Sequence, residues 1–162
     1  MGMHVSAYLA YGVHFTDEEV ESLPWFDPES EDGSLEEKFE EWLAKVSGLV
    51  DPSAHITDRV GEWKKWHENP ENASAMSEYW RKKRELLKQC PITPVFWSSF
   101  DEEPEPLIIA VNSSVTTGNW EKPMEPTMSI EDADIEAAKS FCAKHSIPFD
   151  QPTWLLAARA IN

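Results

Sequence analysis

The sequence predicts an α+β fold: a sheet of about four antiparallel or mixed strands with about four helices packed on one face. Three observations predict it. Segments with the two-residue period of strands alternate with segments that have the apolar stripe of a helix. Only one pair of predicted strands is close enough along the chain to form a hairpin. The chain of 162 residues has the length of one domain. We therefore expect the order β-α-α-α-β-β-α-β within a single domain, residues 1–162.

The first predicted strand runs from His4 to Phe15. Both of its faces carry bulky side chains, which is typical of a covered, central strand rather than a half-exposed edge. Gly12 interrupts this pattern and indicates a bulge or a bend. The chain then becomes acidic from Asp17 to Asp32 and contains two prolines, so we predict a short helix followed by a loop.

The clearest helix is predicted over residues 35–47. Ser34 followed by Glu37 forms a capping box at its start, and Gly48 stands where a C′ glycine ends a helix. The apolar residues fall within an arc of about 100° on the helical wheel. They are Leu35, Phe39, Trp42, Leu43 and Val46.

Two further helices are predicted from apolar stripes and end signals. One covers residues 54–67, carries a stripe of Ile56, Val60 and Trp63, and stops at Asn69-Pro70. The other covers residues 130–145 and is capped by Ser129 with Asp132.

The helix predicted over residues 73–89 is capped by Asn72 and ends before Pro91. Its expected buried residues are Met76, Tyr79, Trp80, Leu86 and Leu87. It also carries the chain's basic cluster, Arg81, Lys82, Lys83, Arg84 and Lys88. Such a cluster can contact nucleic acid, but at this net charge we favour a cluster that complements the helix dipole and the acidic surface. Lys83 falls within the apolar arc and is expected to meet a carboxylate.

Three more strands complete the prediction. Val95–Phe100 and Leu107 to about Thr116 form the hairpin, joined by the acidic, proline-containing loop 101–106. Residues 118–128 are predicted to be irregular, and the final strand covers Thr153–Ile161.

Charge is the least ordinary property of the chain. The net charge is −16, and the segment from Asp17 to Glu41 carries twelve carboxylates against one lysine, a net charge of −11. Self-repulsion on this scale destabilises a compact protein. We therefore predict a partner-binding role for these carboxylates: Asp17, Glu18, Glu19, Glu21, Asp27, Glu29, Glu31, Asp32, Glu36, Glu37, Glu40 and Glu41.

The predicted helix over 35–47 makes this role more specific. Glu36, Glu37, Glu40 and Glu41 lie beside the apolar arc, along about 7.5 Å of helix axis. That is about one charge per 2 Å, close to the density of phosphates along duplex DNA. The alternative is an ordinary solvated helix face.

Two tryptophans are added to the predicted partner-binding residues because they belong to no apolar stripe. Trp25 lies beside Phe26, and Trp120 lies in an irregular segment with Gly118 and Pro123. Exposed loop aromatics can anchor an interface, although packing beneath a loop is an equal alternative.

Catalytic and metal-binding patterns are not found. Asp27–Gly33 fails as an EF-hand loop because proline and phenylalanine fall at ligand positions. The histidines lack zinc-ligand spacing. Cys142 and His145 are neighbours on a helix, but both fall on its apolar side, as expected for a buried thiol. We expect no cofactor, no metal and no enzymatic activity.

Two segments resemble small phage-encoded proteins of unknown function. They are Tyr8-Leu9-Ala10-Tyr11-Gly12-Val13 near the start, and Phe141-Cys142 followed by Pro152-Thr153-Trp154-Leu155 near the end. In those proteins an opening apolar strand ends in Tyr-Gly and a closing strand begins with Pro-x-Trp. The resemblance implies a phage origin and no catalytic residues.

These observations predict an acidic binding protein of phage type. The expected partner is a basic host protein or ribonucleoprotein complex that handles nucleic acid or acts in defence, held by its nucleic-acid groove. Direct binding to nucleic acid or to a membrane is not expected. An immunity-type or structural protein that neutralises a basic partner is the first alternative, and an enzyme with a dispersed site is the second. Two cysteines without a disulfide pattern, and no leader or membrane segment, predict a cytoplasmic location.

Overall fold

The computed structural model describes residues 4–28, 33–57, 61–96, 107–119 and 127–161. The fold is α+β with an antiparallel sheet, as the sequence predicts. The strands are β1 (His4–Phe15), β2 (Ile92–Phe96), β3 (Leu107–Val111), β4 (Thr116–Asn119) and β5 (Thr153–Ile161). The helices are α1 (Asp17–Glu21), α2 (Leu35–Val46), α3 (Glu62–His67), α4 (Pro70–Gln89) and α5 (Asp132–Lys144).

The chain divides into two compact units. The first, called here the sheet unit, comprises Met1–Asp32 and Cys90–Asn162, and the second, the helical unit, comprises Gly33–Gln89. The sheet unit holds all five strands with α1 and α5, and the helical unit holds α2, α3 and α4.

Strand β1 is the centre of the sheet, as predicted. Along one edge it pairs with β5 from His4 to Gly12. Along the other edge its first half pairs with β4 and its second half with β3, and β3 pairs in turn with β2. A twelve-residue strand can accept three antiparallel neighbours because β3 and β4 share one of its edges end to end.

Gly12 allows two strands to approach closely, and this differs from the predicted bulge or bend. It pairs with Ala110 of β3 and with Thr153 of β5 in regular register. A Cβ atom at this position would overlap the carbonyl oxygen of Ile109 and lie 2.7 Å from the Cα atom of Ala110. The absent side chain is therefore what the neighbouring backbone requires.

A short 3₁₀ turn, Asn112–Ser114, separates β3 from β4. The sequence predicts one strand from Leu107 to about Thr116, and instead the turn interrupts it. The buried Ser114 hydroxyl accepts a 2.9 Å hydrogen bond from the backbone N–H of Tyr11 and donates a 2.7 Å bond to the carbonyl of Val111. A side chain thus completes the ladder of β1 where no strand faces it.

We expect Ser114→Ala to lower the free energy of unfolding by about 1–3 kcal/mol, because the Tyr11 N–H loses its acceptor inside the protein. Denaturant titration of the variant checks this value. Ser113→Ala is the control, since the Ser113 hydroxyl bonds Asp134 at the surface and its loss should change stability by less than about 0.5 kcal/mol. Equal effects of the two changes would contradict the role given to Ser114.

Helix α2 follows its sequence signals closely. Glu37 N–H donates to the Ser34 hydroxyl at 3.3 Å, and the Glu37 carboxylate accepts from the Ser34 N–H at 3.0 Å, which completes the predicted capping box. Gly48 ends the helix with φ +74°. Phe39 and Leu43 are buried, whereas Val46, predicted to be in the apolar stripe, is 44% exposed.

The helix predicted over residues 54–67 is wrong for its first part. Residues 52–55 form turns, and α3 is the helix among the described residues of this range. The Asp51 Oδ1 atom accepts from both the N–H and the hydroxyl of Ser53, each at 2.7 Å. This local bonding, next to Pro52, competes with helix formation. Val60 lies outside the described residues, and Trp63 is 38% exposed.

Helix α4 begins earlier than predicted. Pro70 occupies its first position, where a missing N–H is harmless, and Asn69 rather than Asn72 accepts from the Glu71 N–H at 3.0 Å. Asn72 donates instead to the carbonyl of Trp66. Met76 and Tyr79 are buried as predicted, but Trp80 is 46% exposed.

Two predictions in the sheet unit also need correction. Helix α5 begins at Asp132 after Glu131, without a side-chain cap from Ser129. Strand β4 lies partly within the segment predicted to be irregular, because Thr116–Asn119 pairs through its backbone with Ser6–Leu9. The hairpin loop 101–106 lies outside the described residues.

None of the described helices has both the length and the apolar character needed to cross a membrane.

Candidate functional site

Five of the predicted partner-binding carboxylates lie in the sheet unit, on α1 and the segment after it. Asp17, Glu18, Glu19, Glu21 and Asp27 are all exposed. Glu19 also closes a capping box, since its Oε2 atom accepts from the N–H of Thr16 at 2.8 Å and from its hydroxyl at 3.0 Å. The backbone bond from Thr16, followed by the hydroxyl bond, lowers the pKa of Glu19. The other four carboxylates have open surface for a partner.

Four further carboxylates lie on α2, in the helical unit. Glu36, Glu37 and Glu41 are exposed, and Glu40 is partly buried. Glu37 caps the helix, and Glu40 forms an ion pair, so their side chains already have structural roles. The remaining predicted carboxylates, Glu29, Glu31 and Asp32, lie outside the described residues.

The two predicted loop tryptophans have different outcomes. Trp25 is only 5% exposed and belongs to the core of its unit, so its ring offers little surface to a partner. Packing beneath the loop, the stated alternative, describes it better. Trp120 lies outside the described residues.

A pocket that the sequence did not predict lies within the helical unit. Its volume is about 360 Å³, and it is formed by α2, the turn after residue 50, α3 and α4. Its walls combine three aromatic rings with two carboxylates and one ammonium group: Trp63, Tyr79, Trp80, Glu41, Asp51 and Lys83. We call it the acidic aromatic pocket.

Lys83 is the buried cation of this pocket. Its side chain is 7% exposed, and its ammonium lies 3.0 Å from the Glu40 carboxylate, whose side chain is 30% exposed. The same ammonium lies 5.1 Å from the centre of the Trp80 ring, a cation–π distance. The predicted meeting of Lys83 with a carboxylate is confirmed.

The two pocket carboxylates and the neighbouring Glu40 act together on Tyr79. Burial raises the pKa of the Tyr79 phenol, and the negative charges of Asp51, Glu41 and Glu40 raise it further. Asp51 is held in place by its two bonds from Ser53. Three carboxylates therefore share one small region of the helical unit with a single buried ammonium.

The remaining basic residues of α4 are engaged locally. Arg81 donates two hydrogen bonds to Glu78, Lys82 lies 3.4 Å from the same carboxylate, and Lys88 pairs with Glu85. The hydrogen bond from Arg81 is the largest cause that lowers the pKa of Glu78, to about 2. Arg81, Lys82 and Lys88 are therefore balanced by carboxylates of their own helix, whereas the sequence favoured a cluster that complements the helix dipole and the acidic surface.

The Cys142–His145 pair does not have the geometry of an activated nucleophile. Cys142 is 1% exposed, and burial, followed by the neighbouring Cys90, raises the pKa of its thiol to about 12. Burial also lowers the pKa of His145, whose ring lies 4.6 Å from that of Phe141. A thiol that stays protonated at neutral pH is a packing group.

We expect a charged thiol reagent near neutral pH to label neither Cys90 nor Cys142 in the folded protein, because both are buried free thiols with raised pKa values. Mass spectrometry before and after denaturation checks this, with both thiols labelled only once unfolded. Added reductant should leave the melting temperature unchanged. A drop of several degrees would indicate a disulfide instead.

Within the described ranges, no group of three or more His, Cys, Asp or Glu side chains is arranged to hold a metal ion.

The sequence did not predict the acidic aromatic pocket because Trp63 and Trp80 were assigned to apolar stripes. One signal was present in the sequence: Lys83 continues the stripe of Met76 and Tyr79, so a charged group inside α4 needed a polar partner.

Comparison of the chain with protein-family models, curated proteins and solved structures finds no match.

Proposed function

We propose that this chain is a phage-encoded, acidic binding protein that acts in the host cytoplasm. Its partner is a basic host protein or ribonucleoprotein complex that handles nucleic acid or acts in defence, and binding occupies the basic nucleic-acid groove and inhibits the complex. The observation that carries this proposal is the net charge of −11 between Asp17 and Glu41. All nine described carboxylates of that segment reach the surface at least in part.

Physical chemistry supports this class of partner. A dense field of one sign accelerates association with a surface of the opposite sign, and it suppresses partners of like charge. Surfaces that bind nucleic acid are the most basic surfaces that proteins commonly present. The capping boxes of α1 and α2 hold both acidic helices in shape without consuming most of their carboxylates.

Neutralisation of a basic partner without mimicry of nucleic acid is the second candidate function. It is favoured by the pairing of Glu40 with Lys83, because this removes one charge from the phosphate-like row on α2. Three exposed carboxylates then remain along about 7.5 Å of axis. Competition by duplex DNA or RNA separates the two functions, since only mimicry requires that nucleic acid displaces the protein.

The test is affinity capture from a host lysate, followed by measurement of the captured complex at rising salt. The acidic variant is Asp17→Asn/Glu18→Gln/Glu21→Gln, which keeps the capping Glu19. The control is Glu62→Gln/Glu68→Gln/Glu71→Gln, three exposed carboxylates of the helical unit, so both variants have the same net charge. We expect affinity to fall about tenfold or more only in the acidic variant, with a flatter salt dependence. Equal affinities of the two variants would contradict the proposal.

We also expect that the protein itself does not bind duplex DNA measurably at physiological salt. The net charge is −16, and Arg81, Lys82 and Lys88 of the basic cluster are paired with carboxylates of α4, so the protein lacks the phosphate-neutralising surface that non-specific binding needs. A gel-shift titration checks this. A micromolar complex that disappears on replacing Arg81, Arg84 and Lys88 would overturn the charge argument.

A further inference from the structure

The acidic aromatic pocket combines the two features that recognise an organic cation. Trp63 and Trp80 are partly exposed to solvent, at 38% and 46%, and the buried Tyr79 lines the same space. Aromatic faces attract cations. The carboxylates of Glu41 and Asp51 line the same space. Its volume of about 360 Å³ lies at the small end of the range, roughly 300–1,000 Å³, that holds small ligands or single side chains.

The cation that this pocket already contains does not satisfy its charge. Lys83 is paired with Glu40, outside the lining. Among the described residues, neither Glu41 nor Asp51 is ion-paired with a lysine or an arginine. Two carboxylates of the described lining therefore share the pocket with one ammonium that Glu40 already neutralises, so the charge of this lining favours a cationic ligand over an anionic one.

The internal cation also shows what the walls can stabilise. The Lys83 side chain is only 7% exposed, and its ammonium lies 3.0 Å from the Glu40 carboxylate and 5.1 Å from the centre of the Trp80 ring. A second cation at the mouth would find the same pair of chemical groups, a carboxylate and an indole, supplied by Glu41 or Asp51 and by Trp63.

We propose that the acidic aromatic pocket binds a guanidinium group, through stacking on its tryptophans and hydrogen bonds to Glu41 and Asp51. Guanidinium fits these walls better than a simple ammonium does, because it is planar, stacks on aromatic rings and bonds carboxylates through two parallel N–H groups. It is also more weakly hydrated, so it enters a partly enclosed site more readily. Its source is an arginine of the basic partner, an assignment that rests on the proposed function, or a free guanidinium compound of the same chemistry.

The first test uses a small probe and needs no partner. N-acetylarginine amide is titrated into the full chain while the indole N–H signals of the tryptophans are followed by NMR. We expect the Trp63 and Trp80 signals to shift with a dissociation constant on the order of 1 mM, and at least about fivefold weaker binding of N-acetyllysine amide. No shift at tens of millimolar, or equal binding of both probes, overturns the proposal.

Charge-matched variants separate the pocket from the general field of the protein. Glu41→Gln/Asp51→Asn removes the two pocket carboxylates and keeps an Asn oxygen that can accept from Ser53. Glu36→Gln/Glu37→Gln removes two charges from the same helix outside the pocket, and Gln still fits the capping box. We expect the probe to bind the first variant about tenfold more weakly and the second within about twofold of the parent. If both variants bind the probe equally weakly, the probe responds only to the long-range electrostatic field of the protein, and that result would overturn the proposed site.

Partner capture then identifies the source of the guanidinium. If the pocket variant loses both the probe and the captured partner, relative to its control, the ligand is an arginine of that partner. If it loses the probe but captures the partner normally, the ligand is a free guanidinium compound. If the probe fails while the Asp17, Glu18 and Glu21 variant still loses its partner, the pocket proposal falls and the proposed function stands.

Discussion

Gly12→Ala is expected to lower the free energy of unfolding of the sheet unit by about 3 kcal/mol, the upper part of the range for inserting an atom into filled space. The new Cβ would overlap the carbonyl oxygen of Ile109 and crowd the Cα atom of Ala110. Both are backbone atoms of β3, so no side-chain rotation can relieve the contact. The two strands must move apart instead, and a shift of β1 disturbs its pairing with β3, β4 and β5.

Denaturant unfolding, monitored by hydrogen exchange of the β1 amides, measures this loss of stability in the sheet unit itself. Gly48→Ala is the matched control: its Cβ would meet no atom within 4 Å, and its cost comes only from φ +74°. That cost is about 1–2 kcal/mol, because in the left-handed conformation the Cβ atom comes too close to the following carbonyl oxygen. For a chain of this size, the difference between the variants corresponds to a gap of several degrees in melting temperature. Equal destabilisation would mean that the close approach at Ile109 does not determine the stability of the sheet.

The strands whose bounds the sequence predicted best are β1 and β5. Both have their predicted bounds. The acidic segment that begins at Asp17 follows the end of β1, and Pro152 immediately precedes the start of β5. β4 was missed because Thr116–Asn119 has no apolar alternation. Its existence depends on the free edge of β1, a tertiary property that no local pattern records.

The helical unit shows the same division between local and tertiary information. The ends of α2 are set by Ser34, Glu37 and Gly48, all of which act within one turn of the helix. The turn at Asp51 outweighed an apolar spacing that suggested a longer helix. This turn places Asp51 at the same cavity as Tyr79 and Trp80, which are distant from it in sequence. The acidic character of the chain was visible in the sequence, whereas the cavity was not.

The ion pair between Glu40 and Lys83 links α2 to α4 and changes what acidic substitutions are expected to do. The sequence alone suggests that replacing all four glutamates of α2 by glutamine leaves stability level or raised. With Lys83 buried against Glu40, that expectation holds for Glu36, Glu37 and Glu41 but not for Glu40. A buried ammonium without its counter-ion keeps its desolvation cost and loses its attraction.

We expect Glu40→Ala to lower the free energy of unfolding by about 3 kcal/mol, because it leaves Lys83 charged and buried without the carboxylate that pairs with it at 3.0 Å. Lys83→Met should cost about 1 kcal/mol or less: methionine suits the buried stripe, and Glu40, 30% exposed, can recover water. Replacing both, as Glu40→Leu/Lys83→Met, should return stability close to that of the parent, since an apolar pair avoids desolvation altogether. Denaturant unfolding of Glu40→Ala, Lys83→Met and their combination gives the coupling energy of the pair.

The asymmetry between the single variants is the decisive outcome. An interaction between two exposed side chains would give small and equal losses, within about 1 kcal/mol. A buried cation that depends on one carboxylate gives a large loss when the carboxylate is removed and a small one when the cation is removed. Glu41→Gln, one position along the same helix, is the control and should leave stability unchanged within about 0.5 kcal/mol. If Lys83→Met proves the more destabilising change, the ion pair stabilises the packing of α2 on α4 by direct attraction, and Lys83 is not a cation that merely needs neutralisation.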